Sequence, residues 1–149
     1  DIYRTKDIDG LIKFTLKKQI ENVCGKYGYV LEDSVSIVKR SIGKIVTHNG
    51  ISNIEYNITY KMDSIYPCKG DVYEAVVDSI TKMGLISYLK LESDKFNSVK
   101  ESPVLIIVPQ MYLDKDLDSY VKNQKIKIEV LDKRVKYRAK QIQVVGKIV

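Results

Sequence analysis

The stretch "YPCKGDVYEAVVDSITKMGLISYL", residues 66–89, constrains the fold more than any other part of the chain. Pro67 has no N–H to give to a ladder and closes the segment before it, while Gly70 opens the next. "DVYEAVVDSIT" is rich in β-branched residues, and Gly84 sets a tight bend before "LISYLKL". Strands are therefore expected at 70–80 and 85–91. Three more candidates follow, at 103–108, 125–131 and 139–149. Between the third and fourth lies "QMYLDKDLDSYVKNQ", a polar, acidic connection with room for a turn of helix.

Five short strands with one longer connection fit the oligonucleotide-binding (OB) barrel, a partly open five-stranded Greek key. In front of it the pattern differs. Ile8, Leu11, Ile12, Leu16, Ile20 and Val23 recur at spacings of three and four, which predicts a helix over 8–24 with one apolar face packed on a sheet. Asp7 or Asp9 is placed to cap its start and Gly25 to stop it. "YGYVL" and "SVSIV" then read as strands. Asn49-Gly50 signals a type I′ hairpin. Beyond it Ile54, Tyr56, Ile58, Tyr60 and Met62 alternate, predicting one long strand with a buried face. The expected class is α+β: a helix-plus-antiparallel-sheet domain over 1–67 and an OB barrel over 68–149.

Charge is unevenly spread. The net charge is +6, yet residues 122–147 carry nine Lys or Arg against two acids, a net of +7 that leaves −1 on the remainder. Such a footprint suits a polyanion, most simply nucleic acid; a solvated strand face with no partner is the plainer alternative. Lys125 and Lys127 interleave with Ile126 and Ile128, and Arg134, Lys136, Arg138 and Lys140 fall on every second position. On an extended strand, same-face neighbours lie ~7 Å apart. A row of cations at that pitch would follow a phosphate backbone without reading sequence. Lysine outnumbers arginine 21 to 4, which also argues against base-specific reading, because lysine lacks the planar fork.

Several classes are set aside. Cys24 and Cys68 have no CxxC spacing and no histidine near them, so zinc is not expected. Nothing supports a disulfide between them, and two buried thiols in a reducing compartment is the simpler expectation. The longest aliphatic run, Val104 to Val108, is far short of the ~20 residues of a membrane span. No signal-peptide pattern stands at the start, and the missing Met leaves the true N-terminus open. His48, the single histidine, adjoins the Asn49-Gly50 turn and reads as an exposed hairpin residue. Asp114, Asp116 and Asp118 lack the glycine and closing glutamate of a calcium loop. No phosphate-cradling glycine loop and no nucleophile with a base is present, so catalysis and cofactors are not expected.

In order, the chain presents a helix, "ENVCGKYGYVLE", "SIGKI", an alternating strand running into "YPCKGDVYEAVV", then "KIKIEVLDKRV" and "VVGKIV". This order resembles the stalk subunit of multisubunit DNA-directed RNA polymerases, the seventh subunit of eukaryotic polymerase II and its archaeal counterpart. The resemblance covers roughly residues 17–149. "GKYGYV" and "YP-x-KGDVYEAVV" are its most specific pieces. It implies a tip domain that docks at the base of the polymerase clamp, a barrel beside the nascent single-stranded RNA, a helical partner in the stalk, and no catalysis. Carried over, docking falls on Ser41, Ile42, Gly43, Lys44, Pro67, Lys69 and Gly70. RNA contact falls on Tyr88, Lys90, Lys125, Lys127, Arg134, Lys136, Arg138 and Lys140.

The departures matter. The family's double-glycine tip loop is reduced to "SIGKI". Met83 and Ile86 stand where aromatics are common at the bend, and "VLIIVP" lacks the family's histidine, so the stacking platform is poor and RNA contact is expected to lean on Lys and Arg. "ESPVLIIVP" and a usage rich in Lys, Ile, Tyr and Asn, as an AT-rich gene would encode, resemble the versions carried by large DNA viruses, which would place the protein in virions and host cytoplasm; a cellular eukaryotic version would be nuclear. A free-standing OB-fold RNA-binding protein, such as a translation factor or RNA chaperone, is the alternative.

Overall fold

The structure, a computed structural model, describes residues 8–90 and 98–149. The chain divides into two compact units. The first holds the residues up to Glu21 together with Leu31–Asp63; the second holds Asn22–Val30 together with Ser64–Val149. The units interleave in sequence, where the sequence alone suggests a single boundary at 67/68.

The first unit opens with helix α1, Ile8–Ile20. It ends earlier than the periodicity predicts. Asn22 adopts φ 61°, so an asparagine supplies the left-handed residue expected of Gly25, which instead enters a strand. Of the two cap candidates, Asp7 lies outside the described residues. Asp9 lies inside the helix and accepts from Arg40 Nε. Leu11, Ile12, Leu16 and Ile20 are only half-buried, and Phe14 is exposed. The Glu21 carboxylate is buried and accepts the Asp33 N–H at 3.0 Å and the Val35 N–H at 3.3 Å, tying down the 31–35 turn. Lys17 pairs with Asp33 at 2.7 Å.

Two ribbons complete this unit. Before them in the chain come two strands of the second unit, β1 (Cys24–Gly25) and β2 (Gly28–Val30). In the first unit, β3 (Ser36–Arg40) pairs antiparallel with β6 (Ile58–Lys61), and β4 (Lys44–His48) with β5 (Ile51–Glu55). Asn49 and Gly50 both take positive φ, 51° and 78°, as the hairpin signal requires. The long alternating strand expected over 54–62 is broken, however. Tyr56 and Asn57 separate β5 from β6, and the Ser41 side chain and backbone hold Asn57 at 2.8 and 2.9 Å. Its predicted buried face is exposed at Ile54 and Tyr60 and only half-buried at Tyr56, Ile58 and Met62, because each ribbon has only two strands and alternation alone supplies no layer to cover it.

The second unit contains a closed five-stranded barrel. Its strands are β8 (Val72–Thr81), β9 (Gly84–Leu89), β10 (Val104–Pro109), β11 (Lys125–Arg134) and β12 (Ile142–Ile148), in the order β10-β12-β11-β8-β9. Only β10 and β12 pair in parallel, the arrangement of an OB barrel. Ala75, Val77, Leu85, Val104, Ile106, Val108, Ile128, Val130, Ile142 and Val144 fill the core with no exposed surface. The barrel, expected from the sequence pattern, closes through the pairing of β9 with β10. Gly84 makes part of this closure feasible: at φ 140°, a Cβ there would lie 2.0 Å from the Val108 carbonyl oxygen on β10. The 110–124 connection holds two short 3₁₀ turns, Gln110–Tyr112 and Leu117–Ser119.

Beside the barrel in the same unit, β1, β2 and β7 (Ser64–Ile65) form a small antiparallel sheet. Gly28 is obligatory here. It sits at φ 99°, and a Cβ would meet the Ile65 carbonyl oxygen at 2.2 Å. The sheet therefore sets "GKYGYV" against Ser64–Ile65 and the Tyr66 ring, where "YPCKG" begins, which spacing along the chain could not show. Cys24 is buried in it, and burial raises its thiol pKa; Cys68 is exposed, not buried as expected, and neither is in a disulfide.

Gly28→Ala is expected to destabilise the second unit by at least about 1 kcal/mol, measured by thermal or urea unfolding. Two phenols make a second expectation. Tyr73 is raised to about 12, by burial and by Asp71; Tyr120 is raised to about 12, by burial and by its hydrogen bond to Asp114. The folded state then holds these protons more tightly than the unfolded chain, whose phenols titrate near 10. Their contribution is complete below pH 10 and is lost as pH climbs to about 12. Stability curves across that window should flatten in the Tyr73→Phe and Tyr120→Phe variants.

Candidate nucleic-acid interface

The predicted cations separate into two arrangements. On β11, Ile126 and Ile128 point inward, so Lys125 and Lys127 are turned to solvent opposite Val76 and Glu74 of β8. The row does not continue. Glu129 pairs with Lys147 at 3.0 Å, and a β-bulge between Val130 and Asp132 shifts the register, so that Asp132 and Arg134 face outward in place of the odd-numbered residues. Strand β11 ends at Arg134.

Lys136, Arg138 and Lys140 therefore lie in a loop, and the regular pitch expected from 134 to 140 is corrected. Arg138 turns the chain at φ 68°, which no continuous strand allows. The loop is fixed through its backbone. Arg138 N–H donates to the Cys24 carbonyl at 2.8 Å, Cys24 N–H donates to the Ala139 carbonyl at 2.7 Å, and Ala139 N–H closes a turn onto the Lys136 carbonyl at 3.0 Å. The side chains of Lys136, Tyr137, Arg138 and Lys140 are exposed. A loop pinned at its centre with cations radiating from it suits a flexible polyanion, although it no longer matches the spacing of a regular backbone.

Other predicted residues are scattered. Tyr88 is 4% exposed on β9, between Val76 and Leu105, and burial raises its phenol; its ring lies in the barrel wall with no open face. Lys90 is exposed just beyond β9. The seven residues carried over for docking divide between the units. Ser41, Ile42, Gly43 and Lys44 precede or start the β4–β5 ribbon, and Ile42 is 91% exposed. In the second unit Pro67 is fully buried, Lys69 is exposed, and Gly70 N–H donates to the Val130 carbonyl at 2.8 Å. His48 is exposed at the ribbon end, opposite Ile51.

Sequence reading missed one group. Tyr27, in the turn between β1 and β2, is 60% exposed, with the Lys26 ammonium 5.4 Å from its ring centre. Tyr66, following β7, is 46% exposed, and the Lys133 ammonium lies 3.6 Å over its ring. Surface contacts of this kind are worth about 0.5–1 kcal/mol, less than the ~1–3 kcal/mol of a base stacked on an aromatic ring. For Tyr27 the signal was present as tyrosine beside lysine in "GKYG"; the lysine over Tyr66 is Lys133, far along the chain. Only the β2–β7 pairing brings the two tyrosines together.

No protein-family model matches the chain. A 73-residue stretch is 30% identical to the DNA-directed RNA polymerase II subunit rpb7 of Dictyostelium discoideum. The match covers 48% of this chain and 41% of that protein, so the chain spans less than half the length of the curated relative it matches. Over about half its length, then, this chain is similar to an RNA polymerase subunit.

If the pinned loop binds nucleic acid, charge reversal of Lys136, Arg138 and Lys140 to Glu will weaken binding to single-stranded RNA. It will also reduce the slope of log affinity against log salt by about 2, at roughly 0.7 per lost phosphate contact. Filter binding across a salt series reads both; an unchanged slope removes the loop from the interface.

Proposed function

We propose that the protein is a non-catalytic stalk subunit of a DNA-directed RNA polymerase, which docks on the core enzyme through its first unit and touches nascent RNA with its second. The observation that carries this reading is the pairing of "GKYGYV" with Ser64–Ile65, the residues that lead into "YPCKG", beside a closed OB barrel, in a chain 30% identical to a polymerase II subunit over 73 residues. Neither segment has chemistry of its own. Their contact ties the first strands of the second unit to the segment that enters its barrel, a structural role of the kind an accessory subunit needs.

The first unit supplies the docking surface in this reading. Ile42, Ile45 and Ile54 are exposed, and Ile45 lies directly opposite Ile54 in the β4–β5 ribbon. Apolar side chains gathered on one thin ribbon are costly in water and are favoured against a partner. Ser41 to Lys44 lead into that surface. In the second unit, the pinned cationic loop and the outward lysines of β11 provide a sequence-tolerant contact for a single strand.

The test is affinity purification of the tagged chain from the cells or particles that make it. Recovery with the large polymerase subunits supports the proposal; recovery only with RNA favours a free-standing RNA-binding protein. Ile45→Lys with Ile54→Glu, which sets opposite charges across the ribbon, should remove the core subunits from the eluate by at least about tenfold. The circular dichroism and unfolding midpoint should stay unchanged, because neither residue is buried.

A further inference from the structure

We propose that Lys26, Tyr27, Tyr66 and Lys133 form a stacking site for unpaired bases of single-stranded nucleic acid, with the two ammonium groups taking its phosphates. The inference deepens the RNA-contact reading and rests on it. It moves the aromatic part of the contact from the barrel face to the small sheet beside it.

The geometry is local to the second unit. Gly28 has no side chain, and the Tyr66 ring comes against it, with a Cβ built there only 3.0 Å from Tyr66 Cδ2. Tyr27 is the next residue back along the chain, so both tyrosines lie at the same end of the β1–β2–β7 sheet. Each ring carries a lysine ammonium, at 5.4 Å over Tyr27 and 3.6 Å over Tyr66. Both lysines extend from flexible stems and can exchange a ring face for a phosphate oxygen, which leaves the ring to a base. The exchange is favourable, because a charge-assisted phosphate contact replaces a surface cation–π contact and stacking is gained. Lys133 is followed by Arg134 and the pinned loop, and the loop is bonded to Cys24, two residues before Lys26. A strand leaving the rings therefore meets further cations. A duplex keeps its bases stacked within itself and cannot use this site.

The experiment compares fluorescence anisotropy of a labelled single-stranded RNA of mixed sequence with that of the same strand made abasic. Full-length wild type, Tyr27→Ala/Tyr66→Ala, Tyr27→Phe/Tyr66→Phe and the loop charge reversal are measured on both strands. The alanine pair is expected to lose about tenfold or more on the normal strand and little on the abasic one, with its salt slope unchanged. The phenylalanine pair, which keeps both rings, should bind as wild type, and the alanine pair's retained binding to the abasic strand excludes misfolding as the cause. An alanine pair that binds like wild type, or that loses equally on both strands, overturns the stacking site while the loop contact stands. Absence of any single-strand binding by wild type overturns the RNA-contact reading and this site together.

Discussion

Backbone crowding between Gly28 and Ile65 is the constraint on which the second unit depends. With φ 99° and no room for a Cβ, strand Gly28–Val30 approaches Ser64–Ile65 closely enough to pair with it. That pairing joins residues near position 30 to the segment leading into the barrel. It also sets β1 where Cys24 can exchange hydrogen bonds with Arg138 and Ala139. One glycine thus determines where the cationic loop is held, and it makes the bed on which Tyr66 rests. Any larger residue would push the two segments apart and release the loop.

The barrel works as a rigid carrier. Its core is made of Val, Ile, Leu and Ala with no exposed surface, and its interior register is kept by alternation on β10 and, as far as Val130, on β11. Departures from regularity lie where the surface properties change. The bulge after Val130 turns the outward face of β11 from Lys125 and Lys127 to Asp132 and Arg134. The left-handed Arg138 then turns the chain so that charge is presented from a loop. Both irregularities redirect side chains without disturbing the packed interior.

Much of the barrel was legible from the residues. Each of its strands is rich in β-branched or aliphatic residues, each is flanked by Gly, Pro or a polar run, and the observed bounds differ from the expected ones by a few residues. Asn49-Gly50 marked the hairpin for a similar reason, since its backbone demand is local. What was not legible depends on distant partners. Ile54 to Met62 alternates perfectly, yet Ser41 captures Asn57 and divides the run into two strands. The alternating cations from Arg134 to Lys140 read as a strand, but the backbone bond from Arg138 to Cys24 makes them a loop. Tyr88 has the composition of a stacking residue and lies instead in the barrel wall. Tyr27 and Tyr66 are 39 positions apart, and only strand pairing makes them neighbours.

That this chain meets emerging transcript within a transcribing complex is the central claim, and photo-crosslinking tests it most directly. RNA labelled with a photoreactive uridine is extended by polymerase carrying the protein, and crosslinked peptides are mapped. Crosslinks are predicted on residues 125–140, with further ones near Tyr27 and Tyr66. Crosslinks confined to the β4–β5 ribbon, or none on this chain while the core subunits are labelled, would contradict the claim.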